Sequence, residues 1–356
     1  MHDPQKAENC FTPAEQRIFE AMVRAVQVKH ESWRTGHAYG HAVVWYFRFL
    51  KRRRDLAAAT SEEKVRAYLS DCAPNCAAKT QNQRLCAIKR YYEQVLQRPL
   101  GDLGKWAFAK VAPRAPVWLN QAETQRLLHC IAHPTHALMA RVCYGSGLRL
   151  MELVRLRQQH VDLEKRTLFI LGGKGDKDRV VPLPASVVPD LAAHIQRTRA
   201  LWQGDAANGY PPVALPNGLE RKYPNAGREW SWFWLWPGRN LSRDPETGLV
   251  RRHHTHENGF QKCIKAAAAR AGIGKRVKVH TLRHSFATHL LERGVAVTTL
   301  QKLLGHAHLE TTSIYLHCLP QLITGTVSPL DTLPGQILEF PVQSLPKSGM
   351  NRAVGL

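Results

Sequence analysis

The chain has 356 residues, which is enough for two hydrophobic cores of ordinary size, so its length predicts two domains. Its 50 Lys and Arg residues outnumber its 28 Asp and Glu residues, and the formal net charge is +22. This charge favours nucleic acid as the partner, with an anionic membrane surface or a merely well-solvated surface as alternatives. No apolar run reaches the roughly 20 residues of a membrane span, and the N-terminus lacks signal-peptide features, so a cytosolic protein without a membrane partner is expected.

The N-terminal region carries repeated helix signals. Thr12 and Glu15 flank a proline and form the capping-box pattern of a helix start, which predicts a helix near 13–30. Thr60 and Glu63 repeat the pattern. A later segment has apolar residues at helical spacing on one face, namely Leu85, Ile88, Tyr92 and Val95. The first domain is therefore predicted to be all-helical.

Basic residues accumulate on these predicted helices. The run FRFLKRRR ends one helix, and three basic residues lie on another: Arg84, Lys89 and Arg90. Such side chains neutralise nucleic-acid phosphates and add affinity without reading sequence. A solvated helix face is the alternative that the sequence leaves open.

The periodic pattern stops before KVAPRAPVW, which has the prolines and charges of an extended linker. A new helix is predicted after it, with Asn120 as its cap and Glu123 three residues on. We therefore predict a domain boundary near residue 116. The expected division is a helical domain at 1–112, a linker at 113–117, a second domain at 118–330 and a tail at 331–356.

Two segments of the second domain predict anion-binding groups. HALMARVCYGSGLRLMELVRLR is typical of helix, glycine turn and helix, and it places Arg149 at the electropositive N-terminal end of the second helix. GSGLRL lacks the third glycine and the preceding strand of a dinucleotide fingerprint. RTLFILGGKGDKDRVVPLP predicts a β-hairpin with Lys174 in its turn, but it lacks the P-loop pattern. An ordinary exposed turn lysine is the alternative interpretation.

Two C-terminal segments supply further candidates. In HTLRHSFATHLLERG, His280 and Arg283 are spaced i, i+3 on a predicted helix and project from one face. In LLGHAHLETTSIY, a short helix is expected to end at Gly305, with His306 in the turn and Tyr315 on the next helix. A single tyrosine is usually core and a single turn histidine is usually solvated. The ordered combination of cations, histidines and a tyrosine indicates a site.

This combination resembles the tyrosine recombinases, the integrases of the lambda type. The residues that match the family motifs, in order, are Arg149, Glu152, Lys174, His280, Arg283, His306 and Tyr315. Glu152 is expected to orient its neighbours. The resemblance implies a two-domain fold, with an all-α N-terminal core-binding domain, a SAM-like helical bundle, followed by a mixed α/β, mainly helical catalytic domain.

The matching side chains suit attack of a tyrosine hydroxyl on a phosphodiester. Arg149 and Arg283 can each bind the non-bridging phosphate oxygens through two N–H groups, and His306 can donate a further hydrogen bond. A phenol with a pKa of about 10 needs a base, for which His280 is our candidate. The resemblance implies Lys174 as the acid at the leaving 5′ oxygen. No carboxylate cluster with metal-ligand spacing accompanies the set, so no metal or other cofactor is expected.

A long segment at about 213–255 separates the hairpin from the HxxR helix. Within it Trp230, Trp232, Trp234 and Trp236 recur at every second position, and six cations surround them: Arg221, Lys222, Arg228, Arg239, Arg251 and Arg252. Aromatic rings interleaved with cations suit stacking on unpaired bases. The alternatives are that the tryptophans form a local core or that the period of two marks a buried strand.

This insert resembles the one that distinguishes integron integrases from other tyrosine recombinases, in ALPN, ERKYP, the WSWFW run, the DP turn and RRHH. The resemblance implies recognition of gene-cassette sites as folded single-stranded hairpins. It also implies base pockets formed by Trp232, Pro245, His253 and His254. A zinc site at His253, His254 and His256 is the competing interpretation, although its spacing fits poorly.

The resemblance implies an enzyme that inserts and excises gene cassettes through a 3′-phosphotyrosine intermediate, at folded single-stranded and duplex DNA sites. Family members usually donate a segment beyond the tyrosine to a neighbouring subunit, which implies a tetramer on DNA. A phage or plasmid-type integrase acting on duplex sites only is the alternative enzyme. A catalytically dead DNA-binding relative is the alternative from another class, against which the intact Tyr315 and both arginines argue.

Overall fold

A computed structural model describes residues 11–29, 31–104, 108–110, 116–171, 178–216, 218–244 and 247–316. The chain divides into two compact units, Met1–Arg114 and Ala115–Leu356. No helix in the described ranges is long and apolar enough to cross a membrane. Lys174, Pro245 and the predicted tail lie outside the described residues, as does most of the predicted linker.

The described part of the first unit is helical. It consists of α1 (Pro13–Val28), α2 (Trp33–Arg52), α3 (Ser61–Cys72) and α4 (Ala78–Arg90), with a 3-10 turn at Arg54–Leu56 and a π-helical turn at Tyr91–Val95. Thr12 with Glu15 caps α1, and Thr60 with Glu63 caps α3. Both pairs form the two reciprocal hydrogen bonds of a capping box. The predicted helix starts are confirmed.

The helices of the first unit pack through the apolar faces that the periodicity predicted. Leu85 and Ile88 of α4 are buried against the aromatic and aliphatic side chains of α2 and α3. The hydroxyls of Tyr46 and Tyr92 lie 3.0 Å apart inside this core. Gly40 allows α1 and α2 to approach closely, because a Cβ there would lie 2.6 Å from the ring of Phe19.

The second unit is mixed and mainly helical. Its elements, in order, are α5 (Gln121–His129), α6 (Pro134–Ser146), α7 (Leu150–Val154), β1 (Val161–Asp162), β2 (Thr167–Ile170), β3 (Arg179–Pro182), α8 (Val188–Ala207), α9 (Leu219–Lys222), β4 (Pro237–Arg243), β5 (Val250–His254), α10 (Glu257–Arg270), α11 (Val279–Glu292), α12 (Val297–Leu304) and α13 (Glu310–Ser313). The capping box of Asn120 and Glu123 begins α5, as predicted. Strands β2 and β3 form the predicted antiparallel hairpin, and β1 pairs with β2.

The core of the second unit lies between the β1–β3 sheet and the surrounding helices. Leu168 and Val181 are paired across β2 and β3 and are buried, whereas Phe169 and Val180 face outward, so the sheet packs through one face. Trp236, Phe260 and Leu282 fill the same core from other elements, and a second short sheet pairs β4 with β5 antiparallel.

Candidate active site

Arg149 lies at the N-terminal end of α7, as predicted. Gly147 ends α6 in the left-handed conformation, with φ of 62°, and Arg149 then becomes the N-cap of α7. The backbone N–H of Arg149 donates to Glu152 Oε2 at 2.8 Å, and Nη1 donates to Glu152 Oε1 at 2.7 Å. Nη2 donates to the carbonyl oxygen of Gly305 at 3.2 Å. Glu152 therefore holds Arg149 from within one helical turn.

Arg283 lies on α11 and is only 1% exposed. Its Nη1 donates to the carbonyl oxygen of Gly147 at 2.9 Å, and its Nη2 donates to that of Leu304 at 2.6 Å. Nη2 also lies 3.1 Å from Nε2 of His306. Burial and the positive charge of Arg149 lower the pKa of Arg283 to about 10, so the guanidinium remains cationic at neutral pH.

A third arginine, Arg179, joins the site although no sequence motif pointed to it. It is the first residue of β3, and its Nη1 and Nη2 donate to the two carboxylate oxygens of Glu152 at 3.0 and 2.7 Å. Burial alone would raise the pKa of Glu152, but the hydrogen bond from Arg179 and the charges of Arg179 and Arg149 outweigh it and lower the pKa to about 2. Glu152 is thus a buried carboxylate that bridges two arginines.

The C-terminal end of α12 positions His306. The carbonyl oxygens of residues 303, 304 and 305 accept hydrogen bonds from Arg179, Arg283 and Arg149 in turn, which suits the electronegative end of a helix. Gly305 ends the helix with φ of 60°. A guanidinium only donates, so His306 Nε2 accepts from Arg283. The ring hydrogen is therefore on Nδ1. Nδ1 donates it to the hydroxyl oxygen of Thr312 at 2.9 Å.

Tyr315 is buried at this end of the unit. Helix α13 ends two residues before it, so Tyr315 follows the helix instead of lying on it as predicted. Its side chain is 2% exposed and packs in an apolar cluster with Phe286 and Leu300. Its ring is parallel to that of His306, with centroids 6.4 Å apart and planes at 9°. Its hydroxyl lies 2.9 Å from Nδ1 of His284.

The histidine in contact with the Tyr315 hydroxyl is one that the sequence analysis did not select. We had expected His280 there, whereas His284 makes the hydrogen bond. The two imidazole rings lie 5.5 Å apart at 72° on the same helix. Burial and the charges of Arg283 and Arg149 lower the pKa of His280, which lies one helical turn before His284. The i, i+4 spacing of the two histidines is the signal that could have identified His284.

The four insert tryptophans do not form a strand, so that alternative was wrong. Trp230–Trp232 is a 3-10 turn, and Trp234 makes an isolated bridge with Arg157. Trp234 and Trp236 are buried, as the local-core interpretation predicted, whereas Trp232 remains partly exposed. Arg157 holds Trp232, because its Nη1 donates to the carbonyl oxygen of Trp232 at 2.6 Å and its guanidinium lies 5.4 Å from that ring's centre.

The predicted base-pocket histidines lie beside these tryptophans. His253 and His254 have ring centroids 4.0 Å apart, and the ring of His253 lies 5.3 Å from that of Trp234. Burial, followed by His253 and Arg155, lowers the pKa of His254 to about 4, so its ring is neutral at pH 7. Among the described residues no group of three or more His, Cys, Asp or Glu side chains is arranged to hold a metal ion, which argues against the zinc interpretation involving His256.

Two insert cations that we grouped with the tryptophans are engaged inside the protein. Arg251 is buried and donates to Asp244 and to Glu220, the latter at 2.8 Å. Arg252 is also buried and forms a bidentate pair with Asp205. The interpretation that these two arginines interleave with the tryptophans as ligand-facing cations was wrong, because their guanidinium groups are already bound by carboxylates.

The predicted basic residues of α4 differ in their surroundings. Arg84 donates to Sγ of Cys72 at 3.2 Å and stacks over Trp45 at 4.9 Å. Arg90 forms a 2.6 Å ion pair with Glu31. Lys89 is exposed. The helix therefore presents Lys89 to solvent while its two arginines bind groups of the first unit.

Comparisons with known proteins agree with this architecture. Residues 117–321 match the phage integrase family, and residues 18–102 match the phage integrase N-terminal SAM-like domain. An integrase/recombinase from Escherichia coli is 40% identical over 320 residues, which cover 89% of this chain and 94% of the relative. Tyrosine recombinase XerD from Ralstonia nicotianae is 29% identical over 292 residues, covering 79% and 82%.

A solved structure shows the same fold. The XerH site-specific recombinase, in a post-cleavage complex with palindromic difH substrate, aligns with a TM-score of 0.60 at 19% identity over 89% of this chain and 85% of that one. The predicted fold class, a SAM-like helical domain followed by a mainly helical catalytic domain, is confirmed. The chain belongs to the phage integrase family and is a site-specific tyrosine recombinase.

Proposed function

We propose that Tyr315 is the nucleophile of this recombinase and forms a 3′-phosphotyrosine with DNA. One observation carries the proposal: Arg283 contacts His306, whose ring lies parallel to that of Tyr315, so the cations and the phenol share one pocket. In the reaction the phenol oxygen bonds to phosphorus, the bond to the 5′ oxygen breaks, and that oxygen takes up a proton. Attack by the 5′ hydroxyl of another strand reverses the step and rejoins the DNA.

The other side chains of the site bind the phosphate or transfer protons in the proposed reaction. Arg149 and Arg283 bind the non-bridging phosphate oxygens, and His280 accepts the phenol proton. Lys174, which lies outside the described residues, is the acid for the 5′ oxygen by resemblance to the family. His306 donates to the phosphate through Nε2 only when that nitrogen carries a hydrogen. Since Nε2 already contacts Arg283, phosphate binding has to replace that contact.

A suicide substrate tests the nucleophile. A nick beside the cleavage position makes the piece of DNA that carries the freed 5′ hydroxyl short enough to diffuse away. Without that hydroxyl the covalent adduct cannot reverse and accumulates. Tyr315→Phe should abolish the adduct while DNA binding stays nearly unchanged. Tyr144→Phe, which removes the hydroxyl of a partly buried tyrosine outside the site, should retain it. Adduct formation by Tyr315→Phe would show that the nucleophile is misassigned. Running the assay in chelator also tests the expected independence from metal ions.

We further infer that the recombinase is of the integron-integrase type and acts on folded single-stranded sites as well as duplex sites. The insert sequence at about 213–255 supports this, and so does a partly exposed Trp232 that Arg157 holds in place. A fixed ring needs little further ordering to stack on an extruded base. His253 and His254 lie close to the neighbouring Trp234 and supply further ring surface.

Bulged hairpin DNA and plain duplex distinguish this proposal from an integrase that acts on duplex sites only. Trp232→Ala should weaken binding to the bulged hairpin roughly 5- to 150-fold, the equivalent of one lost base stack, and affect duplex far less. Trp230→Ala is the matched control, because Trp230 belongs to the same 3-10 turn but packs against Trp202 and Phe233. Equal losses on both DNAs would favour the duplex-only enzyme.

The first unit contributes phosphate contacts in this proposal. Lys89 and the exposed basic residues at 51–54 are its candidates, while Arg84 and Arg90 have to exchange internal partners before they reach DNA.

We also infer that four copies assemble on two DNA sites, since strand exchange between two duplexes requires four cleavages. Sedimentation of the protein with its site should show a species of four chains, and dimers as the largest species would contradict this.

A further inference from the structure

His284 touches the atom that we assign as the nucleophile. It lies on α11 next to Arg283 and one helical turn after His280, and its Nδ1 is 2.9 Å from the hydroxyl oxygen of Tyr315. The two groups are 31 residues apart in sequence, and Tyr315 is buried while His284 is partly buried. A hydrogen bond in a buried place fixes a hydroxyl far better than one exposed to water. This imidazole therefore holds the phenol oxygen at hydrogen-bond distance and sets the direction of its hydrogen.

The imidazole of His284 is neutral at pH 7 and accepts the bond in the tautomer that carries its hydrogen on Nε2. Burial, together with His280 and Arg283, lowers the pKa of His284 to about 4. A base whose pKa is this low binds the proton of a phenol weakly, so His284 is a poor general base. It is well suited to hold the hydroxyl before attack. At the moment of attack the hydroxyl hydrogen has to leave Nδ1 of His284 and pass to the proposed base, His280, whose ring lies 5.5 Å away on the same helix.

We propose that His284 is the positioning acceptor for the nucleophile: its Nδ1 accepts the hydrogen bond of the Tyr315 hydroxyl and holds the phenol oxygen in the orientation from which it attacks phosphorus. This inference rests on Tyr315 being the nucleophile. The parallel ring of His306 and the apolar packing of Phe286 restrict the phenol ring, but neither restricts rotation of the hydroxyl hydrogen. His284 supplies that last restraint.

The same helix contains a control for this contact. His289 Nδ1 lies 2.8 Å from the hydroxyl of Tyr144, so α11 carries two His Nδ1 to tyrosine hydroxyl contacts of the same kind. His289 is 3% exposed, and the pair lies outside the group of side chains assigned to chemistry. Loss of the His289 contact shows how much stability the protein loses when such a hydrogen bond is removed. Loss of the His284 contact should lower the rate of adduct formation as well, because the nucleophile is no longer held in place.

The test measures the rate of covalent adduct formation on a nicked suicide substrate at saturating protein, beside DNA affinity and thermal unfolding. His284→Leu should lower the adduct rate about 10- to 100-fold with affinity changed less than about threefold. His284→Asn, whose amide oxygen can occupy the place of Nδ1, should recover most of the rate. His284→Gln, whose amide reaches the place of Nε2, should not. His289→Leu should melt earlier but cleave at nearly the rate of the unchanged chain.

Three results would overturn the proposal: cleavage by His284→Leu at the unaltered rate, equal rates for the Asn and Gln variants, or an equal rate loss in His289→Leu. If the Leu variant fails to fold, the comparison of Asn with Gln still decides. Tyr315→Phe is assayed in parallel. An adduct in that variant would refute the choice of nucleophile, whereas a wrong inference about His284 leaves Tyr315→Phe inactive and the Asn and Gln variants alike.

Discussion

Replacing Arg179 with methionine should destabilise the second unit by about 3 kcal/mol at pH 7. The side chains of Arg179 and Glu152 are 7% and 8% exposed, so water cannot compensate Glu152 for the loss of its bidentate partner. Methionine fills much of the same space, which separates the loss of the ion pair from the creation of a cavity. Arg149 remains beside the carboxylate and limits the loss to the lower part of the range for a broken buried pair.

The pKa of Glu152 sets an upper limit on this magnitude, because its shift also includes contacts with Arg149 that remain in the variant. A carboxyl whose pKa falls from 4.5 in the unfolded chain to about 2 in the folded one contributes roughly 3 kcal/mol. Because the folded-state pKa is depressed, this contribution is complete above pH 4.5 and disappears as the pH falls through about 2. The difference in stability between the two proteins should therefore be large at pH 7 and much smaller near pH 2.5.

Guanidinium-induced unfolding, followed by tryptophan fluorescence, measures this difference, with the transitions of the two units fitted separately. Arg141→Met is the matched control, since Arg141 also pairs with a carboxylate, that of Asp190, but with side chains 37% and 57% exposed. The control should lose less than about 1 kcal/mol. A loss below 1 kcal/mol for Arg179→Met, or a loss that is equal at pH 7 and pH 2.5, would refute the assignment of a coupled buried pair.

Three further variants test other parts of the molecule. Gly147→Ala should lower the thermal midpoint by several degrees, because it combines a left-handed backbone with a Cβ 2.4 Å from the ring of Phe286; an unchanged midpoint would contradict that packing. Arg283→Lys should slow adduct formation by about 100-fold or more while DNA binding persists, since lysine lacks the fork. Lys89→Gln should weaken binding by a similar factor on all DNA sequences and reduce the salt-dependence slope by about one; a sequence-dependent effect would indicate base contact instead.

Local signals in the sequence were sufficient for the elements that carry the site. The capping boxes at Thr12 and Asn120 begin helices at the predicted residues, because both partners of each box lie within one turn. Gly305 ends α12 for a similarly local reason. The order of the family motifs then pointed to Arg149 and Arg283, and the fold brings them to one pocket.

The sequence alone could not predict hydrogen-bond partners that are distant from each other along the chain. Arg179 contacts a carboxylate 27 residues away and a carbonyl 124 residues away, and no short motif marks either contact. The same limitation explains the error about Arg252, whose partner Asp205 lies 47 residues earlier in the chain. The spacing of the insert tryptophans was ambiguous for another reason. A period of two is shared by strands and by irregular segments whose alternate side chains happen to face a core.

The charges at the site have a consequence for catalysis by the proposed mechanism. Arg149, Arg179 and Arg283 surround the single carboxylate of Glu152, which leaves a surplus of two positive charges among these four described side chains. A phosphodiester carries one negative charge, and the transition state formed with a phenolate carries two. Because the surplus matches the transition state better than the bound substrate, the preorganised arginines stabilise it preferentially. Glu152 holds the guanidinium groups in place, so little reorganisation is needed when the second charge develops.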